Sequence, residues 1–367
     1  MFNSETESAM ITSSKCMRVF GFLLLTGVCF AQAPQPPRLP AESPTFVTQV
    51  KVVISPTTVL DKAGNYVNGL TIDDFELFDN GKPQRLTADI AFQPLSLVVA
   101  VQASSMLTDI LPKIQKIGVL IDNLVLGQNG EAAVVAFDHR IRVLQDFTGD
   151  AGRIDAAMKK LTAGSSSARL IDAVTDSVRM LAKRPDNRRR VLLLISEKRD
   201  KASEGKLREA LTAAQLQNVS IYALDISHIV AQFTGTAEPA RPSPIPATAQ
   251  HVPGGGVQTP SSVEIQNNSG NYIPMFVEIF KAAKSIFVDD QVDVFTRYTG
   301  GKQYAFVSQK SLEKAVQAVG EELHSQYLLS YNPDNLDEGG FHEIRVKVNR
   351  PRLEVRTRTG YWVAARP

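Results

Sequence analysis

Between residues 95 and 224 the chain alternates apolar runs of strand length with amphipathic runs of helix length, and this restricts the fold more than any other feature. Residues 95–101 (Leu-Ser-Leu-Val-Val-Ala-Val) and 190–195 (Arg-Val-Leu-Leu-Leu-Ile) are almost continuously apolar, as strands covered on both faces are. Residues 219–224 add a third such strand. Ile110, Ile114, Ile117, Ile121 and Leu124 recur at three- and four-residue steps and predict one helix. Residues 132–137 and 140–144 read as strands around a tight Asp138-His139 turn, and 154–161, 170–181 and 207–216 read as helices. Helical periodicity resumes over 274–298 and ends at Gly300-Gly301; 304–307 reads as a strand and 312–323 as a helix. Strands alternating with helices predict an α/β fold: a doubly wound, mostly parallel, Rossmann-like sheet with helices on both faces.

Both flanks have β character instead. Residues 46–54 alternate, with Phe46, Thr48, Val50, Val52 and Ile54 on one face. Asn80-Gly81 closes a hairpin between 75–78 and 84–86. Residues 326–331, 341–348 and 353–358 form a second β group. Neither group is long enough for a core of its own. The N-terminal segment 45–92 and the C-terminal segment 326–367 are therefore expected to form one small β domain, with Val50, Val52 and Ile54 facing Leu328, Ile344, Val346 and Val348.

The N-terminus reads as an address. Lys15 and Arg18 precede an apolar run over 19–30, and Ala31-Gln32-Ala33 follows. That order predicts a signal peptide over 1–31 and a secreted or periplasmic protein, an uncleaved anchor being the alternative. The run is short of the roughly 20 residues a spanning helix needs, so no integral membrane segment is expected after cleavage. A Pro-rich linker occupies 32–44. Cys16 and Cys29 are the only cysteines, which excludes a zinc ribbon, a disulfide framework and a cysteine nucleophile downstream. Lys+Arg 40 against Asp+Glu 38 leaves +2, no electrostatic basis for nucleic-acid binding. Residues 231–271, rich in Pro, Gly, Thr, Gln and Asn, read as a surface insertion dispensable for folding. Gly164-Ser165-Ser166-Ser167-Ala168 lacks the preceding strand of a nucleophile elbow. Gly254-Gly255-Gly256 lacks the Lys-Ser/Thr of a phosphate loop.

Several stretches together resemble a known family. They are Asp61-Lys62-Ala63-Gly64 with Gly69-Leu70-Thr71-Ile72-Asp73-Asp74-Phe75 and Asp79-Asn80-Gly81-Lys82-Pro83-Gln84; residues 98–106; Leu193-Leu194-Ile195-Ser196 with Ile221-Tyr222-Ala223-Leu224-Asp225; and Tyr298-Thr299-Gly300-Gly301 with 326–333 and Thr359-Gly360-Tyr361. In this the chain resembles von Willebrand factor A (VWA) domain proteins, and within them the bacterial VWFA-related group typical of acidobacteria. The resemblance places a VWA domain over 93–325. It implies one Mg²⁺ at the carboxyl ends of the strands, held by an Asp-x-Ser-x-Ser loop, a Thr and a second Asp, with an open position for a partner's carboxylate.

Here the sequence departs from that pattern. Aligned on Met106, Val101 stands at the first Asp and Ala103 at the first Ser, and only Ser105 keeps a ligand type. Ser166 or Ser167 stands for the Thr, and Glu197 for the second Asp, beside Lys198 and Arg199. A hard divalent ion wants several oxygens and at least one carboxylate. The expectation is therefore a degenerate site with no metal and no cofactor, Glu197 being neutralised by a nearby cation, Arg169 first. The alternative is a displaced Mg²⁺ site on Ser105, Ser167, Glu197 and Asp200. The function expected is protein–protein interaction or scaffolding without catalysis, with an unknown protein partner. A metal-dependent adhesion module and an envelope enzyme of unseen chemistry are the other classes.

Overall fold

The structure is a computed structural model, which describes residues 52–89, 93–121, 127, 129–227 and 290–363. The segments expected to be a signal peptide (1–31), a linker (32–44), a strand (46–51), an insertion (231–271) and a helix (274–289) lie outside these. No helix among the described residues is long and apolar enough to cross a membrane.

Four strands come first: β1 (Val53–Leu60), β2 (Phe75–Asp79), β3 (Lys82–Gln84) and β4 (Leu86–Asp89). The central sheet uses β5 (Leu95–Gln102), β6 (Glu131–Phe137), β7 (Ile141–Thr148), β8 (Arg189–Ser196), β9 (Val219–Asp225) and β10 (Gln303–Ala305), in the order β10-β9-β8-β5-β6-β7. Counted within the sheet this is 3-2-1-4-5-6, a doubly wound order. Only the β6–β7 pair is antiparallel.

Helices α1 (Leu111–Gln115), α2 (Gly118–Ile121) and α3 (Ala151–Lys159) cover one face, and α4 (Leu170–Ala182), α5 (Leu207–Leu216) and α6 (Gln291–Thr299) the other; α7 (Gln309–Ser325) joins the first group. Successive side chains of β5 feed opposite faces. Leu97, Val99 and Val101 enter one apolar cluster, and Val98 and Ala100 the other, which is why this strand reads as continuously apolar.

Of the single helix expected over 110–124, the described part to 121 is broken in two, and Leu124 lies outside the described residues. Gly118 opens α2 directly against α3, where a Cβ would stand 2.9 Å from the Asp155 Cα. Ile110, Ile114, Ile117 and Ile121 are nonetheless all fully buried, so the period marked the buried face while missing the break.

The two β flanks do form one unit. After the central sheet come β11 (Tyr327–Tyr331), β12 (Gly340–Val348), β13 (Glu354–Thr357) and β14 (Gly360–Val363). The sheets are β13-β1-β11-β4 and β14-β12-β2-β3, so each mixes N- and C-terminal strands. Asn80 and Gly81, both with positive φ, make the β2–β3 turn.

The expected face of the first strand is wrong. Val53 is 1% exposed and belongs to the core, whereas Val52 is 43% exposed. Pairing of Val53 with Tyr331 sets this register, and a one-residue slip exchanges the faces. The strand also continues through the buried Ser55, Thr57 and Thr58. Their hydroxyls find partners, for example Ser55 Oγ with Thr357 Oγ1 at 2.6 Å and Thr57 Oγ1 donating to the Ser55 carbonyl at 3.1 Å.

A buried polar hub fastens the β unit to the α/β sheet. Glu322 of α7 accepts hydrogen bonds from the hydroxyls of Tyr222 (2.8 Å) and Tyr304 (3.0 Å), and pairs with Arg356 of β13. One turn further, Gln326 Nε2 donates to Thr58 Oγ1 of β1 at 3.1 Å, and Arg189 of β8 donates to the Leu323 carbonyl at 2.6 Å.

Candidate functional site

In an open α/β sheet the ligand crevice lies outside the carboxyl ends of the strands, where the strand order reverses. That point is the β5–β8 boundary, since β5 has β6 on its other side. Three loops meet there: the first after β5, the second between α3 and α4, the third after β8.

The side chain leaving β5 toward the crevice is Gln102, not Val101. Val101 is buried in the apolar cluster, and Ala103 also packs inside. Gln102 Nε2 donates to Glu197 Oε2 at 2.7 Å and to Ser104 Oγ at 3.1 Å. Its Oε1 accepts from the Glu197 backbone N–H at 2.9 Å. Strand parity decides which side chain faces the apex, and it turns Gln102 there while Val101 packs inside.

Glu197 is neutralised, but by Lys201 and not by Arg169. Lys201 Nζ lies 3.0 and 2.8 Å from the two carboxylate oxygens. Arg169 turns away, pairing with Asp172 at 2.8 Å and Glu204 at 3.2 Å. The i,i+4 spacing of Glu197 and Lys201 is legible in the sequence, but only the path of the third loop brings the ends together.

Asp200 is engaged elsewhere. It accepts from the N–H of Ile171 (3.2 Å) and of Ser203 (3.0 Å), and from Ser203 Oγ (2.5 Å). Lys198 is almost buried, its Nζ 3.5 Å from Asp225 and 4.0 Å from Asp290, whose carboxyl burial pushes up to about 6. Ser105 and Ser166 are exposed and Ser167 half-buried.

The first two loops are seamed by backbone. Ser105 N–H donates to the Ser165 carbonyl at 2.9 Å, and Gly164 N–H to the Ala103 carbonyl at 2.7 Å. Beneath them Asp138, fully buried, accepts from the N–H of Arg140 (2.7 Å) and of Ser165 (3.0 Å). Burial acts to raise its pKa, but these bonds and the nearby His139 and Arg142 outweigh it and hold the carboxyl below the usual range.

Gly164 leaves room for that carboxylate, since a Cβ there would stand 1.7 Å from Asp138 Oδ2. Gly164→Ala is expected to open the seam and lower stability by about 1–3 kcal/mol, read by urea unfolding. An unchanged midpoint would contradict the tight approach.

Ser165, His139 and Asp138 look like a nucleophilic triad but are not arranged as one. Ser165 Oγ lies 2.9 Å and Asp138 Oδ1 3.3 Å from the same ring nitrogen, His139 Nδ1. A relay needs the base on one nitrogen and the orienting acid on the other. His342 is far from the apex, buried in the β unit with Nδ1 2.7 Å from Asp79 Oδ1.

The donor set does not fit the Mg²⁺ that the resemblance implies. Where two carboxylates are usual there is one, Glu197, facing an amide and already carrying an ammonium. Among the described residues no group of three or more His, Cys, Asp or Glu is placed to hold a metal.

The class of protein defined here is a doubly wound α/β domain fastened to a two-sheet β unit. The chain matches no protein-family model and no curated protein. Solved structures similar to it in part include a conserved hypothetical protein, BatB, from Bacteroides thetaiotaomicron, at 15% identity over 62% of this chain and 98% of that one, with a TM-score of 0.38. An aerotolerance-related membrane protein from Bacteroides fragilis is similar at 13% identity over 62% and 99%, with a TM-score of 0.37. The SpRpn10 VWA domain is similar at 12% identity over 36% and 74%, with a TM-score of 0.29.

Proposed function

We propose that this is a non-catalytic protein-interaction module of VWA type that works outside the cytoplasm and presents the apex of its central sheet to a protein partner, without a divalent metal. The observation that carries this reading is the mutual pairing of the polar groups at the switch point. Gln102, Glu197 and Lys201 satisfy one another at the β5–β8 switch point. What remains outward is a face with Ser105, Ser166, His139 and the exposed thioether of Met106. An exposed thioether on a surface that also carries hydroxyls and a histidine suits a partner's surface better than a reaction. The export expected from the N-terminal sequence supports the extracytoplasmic setting.

The test is capture from an envelope extract with the mature protein as bait. Met106→Arg is expected to reduce the captured partner at least tenfold. Capture that survives Met106→Arg would move the docking face elsewhere.

A further inference from the structure

We propose that the Lys201 ammonium is the cation of this apex, a tethered substitute for a divalent ion that holds the three loops in one arrangement at any Mg²⁺ or chelator concentration. The inference rests on the reading of the apex as a docking face and says how that face is kept in shape.

Three observations carry it. The first is the position of the charge. Lys201 Nζ touches both oxygens of Glu197, the carboxylate at the switch point, and 4.0 Å from it lies Met106 Sδ on the first loop. One positive and one negative charge cancel there.

The second is the amide at 102. Gln102 donates to the Glu197 side chain and accepts from the Glu197 backbone, so it clamps that residue at two points. A carboxylate at 102 has no proton to donate when ionised and would set two negative charges together. The amide and the ammonium are thus complementary: one adds no negative charge beside Glu197, and the other supplies the positive charge that this carboxylate needs.

The third is that Lys201 is held in place. Its backbone N–H donates to the Ala168 carbonyl of the second loop at 3.1 Å, and Asp200 beside it caps the start of α4 through the Ile171 N–H. The ammonium therefore acts at a fixed short distance, with no binding equilibrium to satisfy. A Mg²⁺ ion would have to displace it and give up tightly held water for a single carboxylate.

The test uses the mature full chain and reads backbone amide resonances and Tm, in EDTA and in millimolar MgCl₂. The unmodified protein is expected to give the same Tm and the same Gln102 and Glu197 amide positions in both. Lys201→Ala should move the amides of Gln102, Glu197 and Ala168 and lower Tm, and Lys201→Arg should restore them, which a merely space-filling role would not explain. Gln102→Asp combined with Lys201→Ala recreates two carboxylates without the ammonium. Its Tm should rise by a few degrees once Mg²⁺ exceeds its Kd about 100-fold. Should that variant not fold, Lys201→Met keeps the aliphatic stem and must still move the apex amides.

Saturable Mg²⁺ shifts of the Gln102 and Glu197 amides in the unmodified protein overturn the proposal. So do wild-type amide positions in Lys201→Ala or Lys201→Met. Partner capture by the unmodified protein reads the docking face and the amide positions read the ammonium, so a failed capture would leave the ammonium result standing.

Discussion

Replacing Asp79 by Ala is expected to unfold the β unit, at a loss of about 3–5 kcal/mol, the scale for stranding the partners of a buried charge. Asp79 ends β2 with no exposure to solvent. Its Oδ1 meets His342 Nδ1 at 2.7 Å and accepts from Asn335 Nδ2 at 3.2 Å. Its Oδ2 accepts from the hydroxyls of Tyr331 (2.8 Å) and Tyr361 (2.7 Å). These partners come from β11, β12, β14 and the loop after β11, so one carboxylate ties both sheets together.

Burial and the nearby negative charge push both phenols up, which keeps them protonated donors. For Asp79 burial acts upward, but the bonds from His342, Tyr361 and Tyr331 and the His342 ring charge together hold the carboxyl below the ordinary range. The sign follows from a lowered folded-state pKa. The stabilisation is complete above the unfolded-state Asp range and is lost as pH falls through the folded value. Urea unfolding from neutral pH downward should therefore show a fall in stability that is shallower in Asp79→Asn than in the unmodified protein. Equal slopes would mean that Asp79 is not held as the charged form.

Glu322→Ala is expected to separate the β unit from the α/β domain at a similar loss, about 3–5 kcal/mol. The substitution strands the hydroxyls of Tyr222 and Tyr304 and removes the acid partner of Arg356. Burial works to lower the Arg356 pKa, yet the Glu322 charge and hydrogen bond raise it above its usual value. Because the hub lies between two cores, the unfolding should split into two transitions. Glu322→Gln keeps an acceptor for the phenols and should lose less. A single unshifted transition in Glu322→Ala would show that apolar packing alone holds the two parts together.

The periodic parts of this fold are legible along the chain. The apolar runs at 95–101, 190–195 and 219–224 are β5, β8 and β9, and the isoleucines at 110, 114, 117 and 121 mark a buried face despite the helix break. The short β flanks announce their need for each other, since neither has enough apolar surface to stand alone. Such features depend on local repeat and on burial, which are written into residue type.

What the tertiary structure alone decided is pairing, register and reach. Val53 rather than Val52 faces the core because Tyr331 sits opposite it. Gln102 rather than Val101 faces the apex because the parity of β5 is set by its neighbours β6 and β8. Lys201 rather than Arg169 meets Glu197 because Asp172 and Glu204 draw Arg169 away while the Ala168 carbonyl pins the third loop. Asp79 and His342 lie 263 residues apart in sequence and 2.7 Å apart in space. A one-residue slip of a strand, or the choice between two cations, leaves composition and period unchanged. Such choices are settled when loops and strands from distant parts of the chain are brought together and each polar group must find a partner before it is buried.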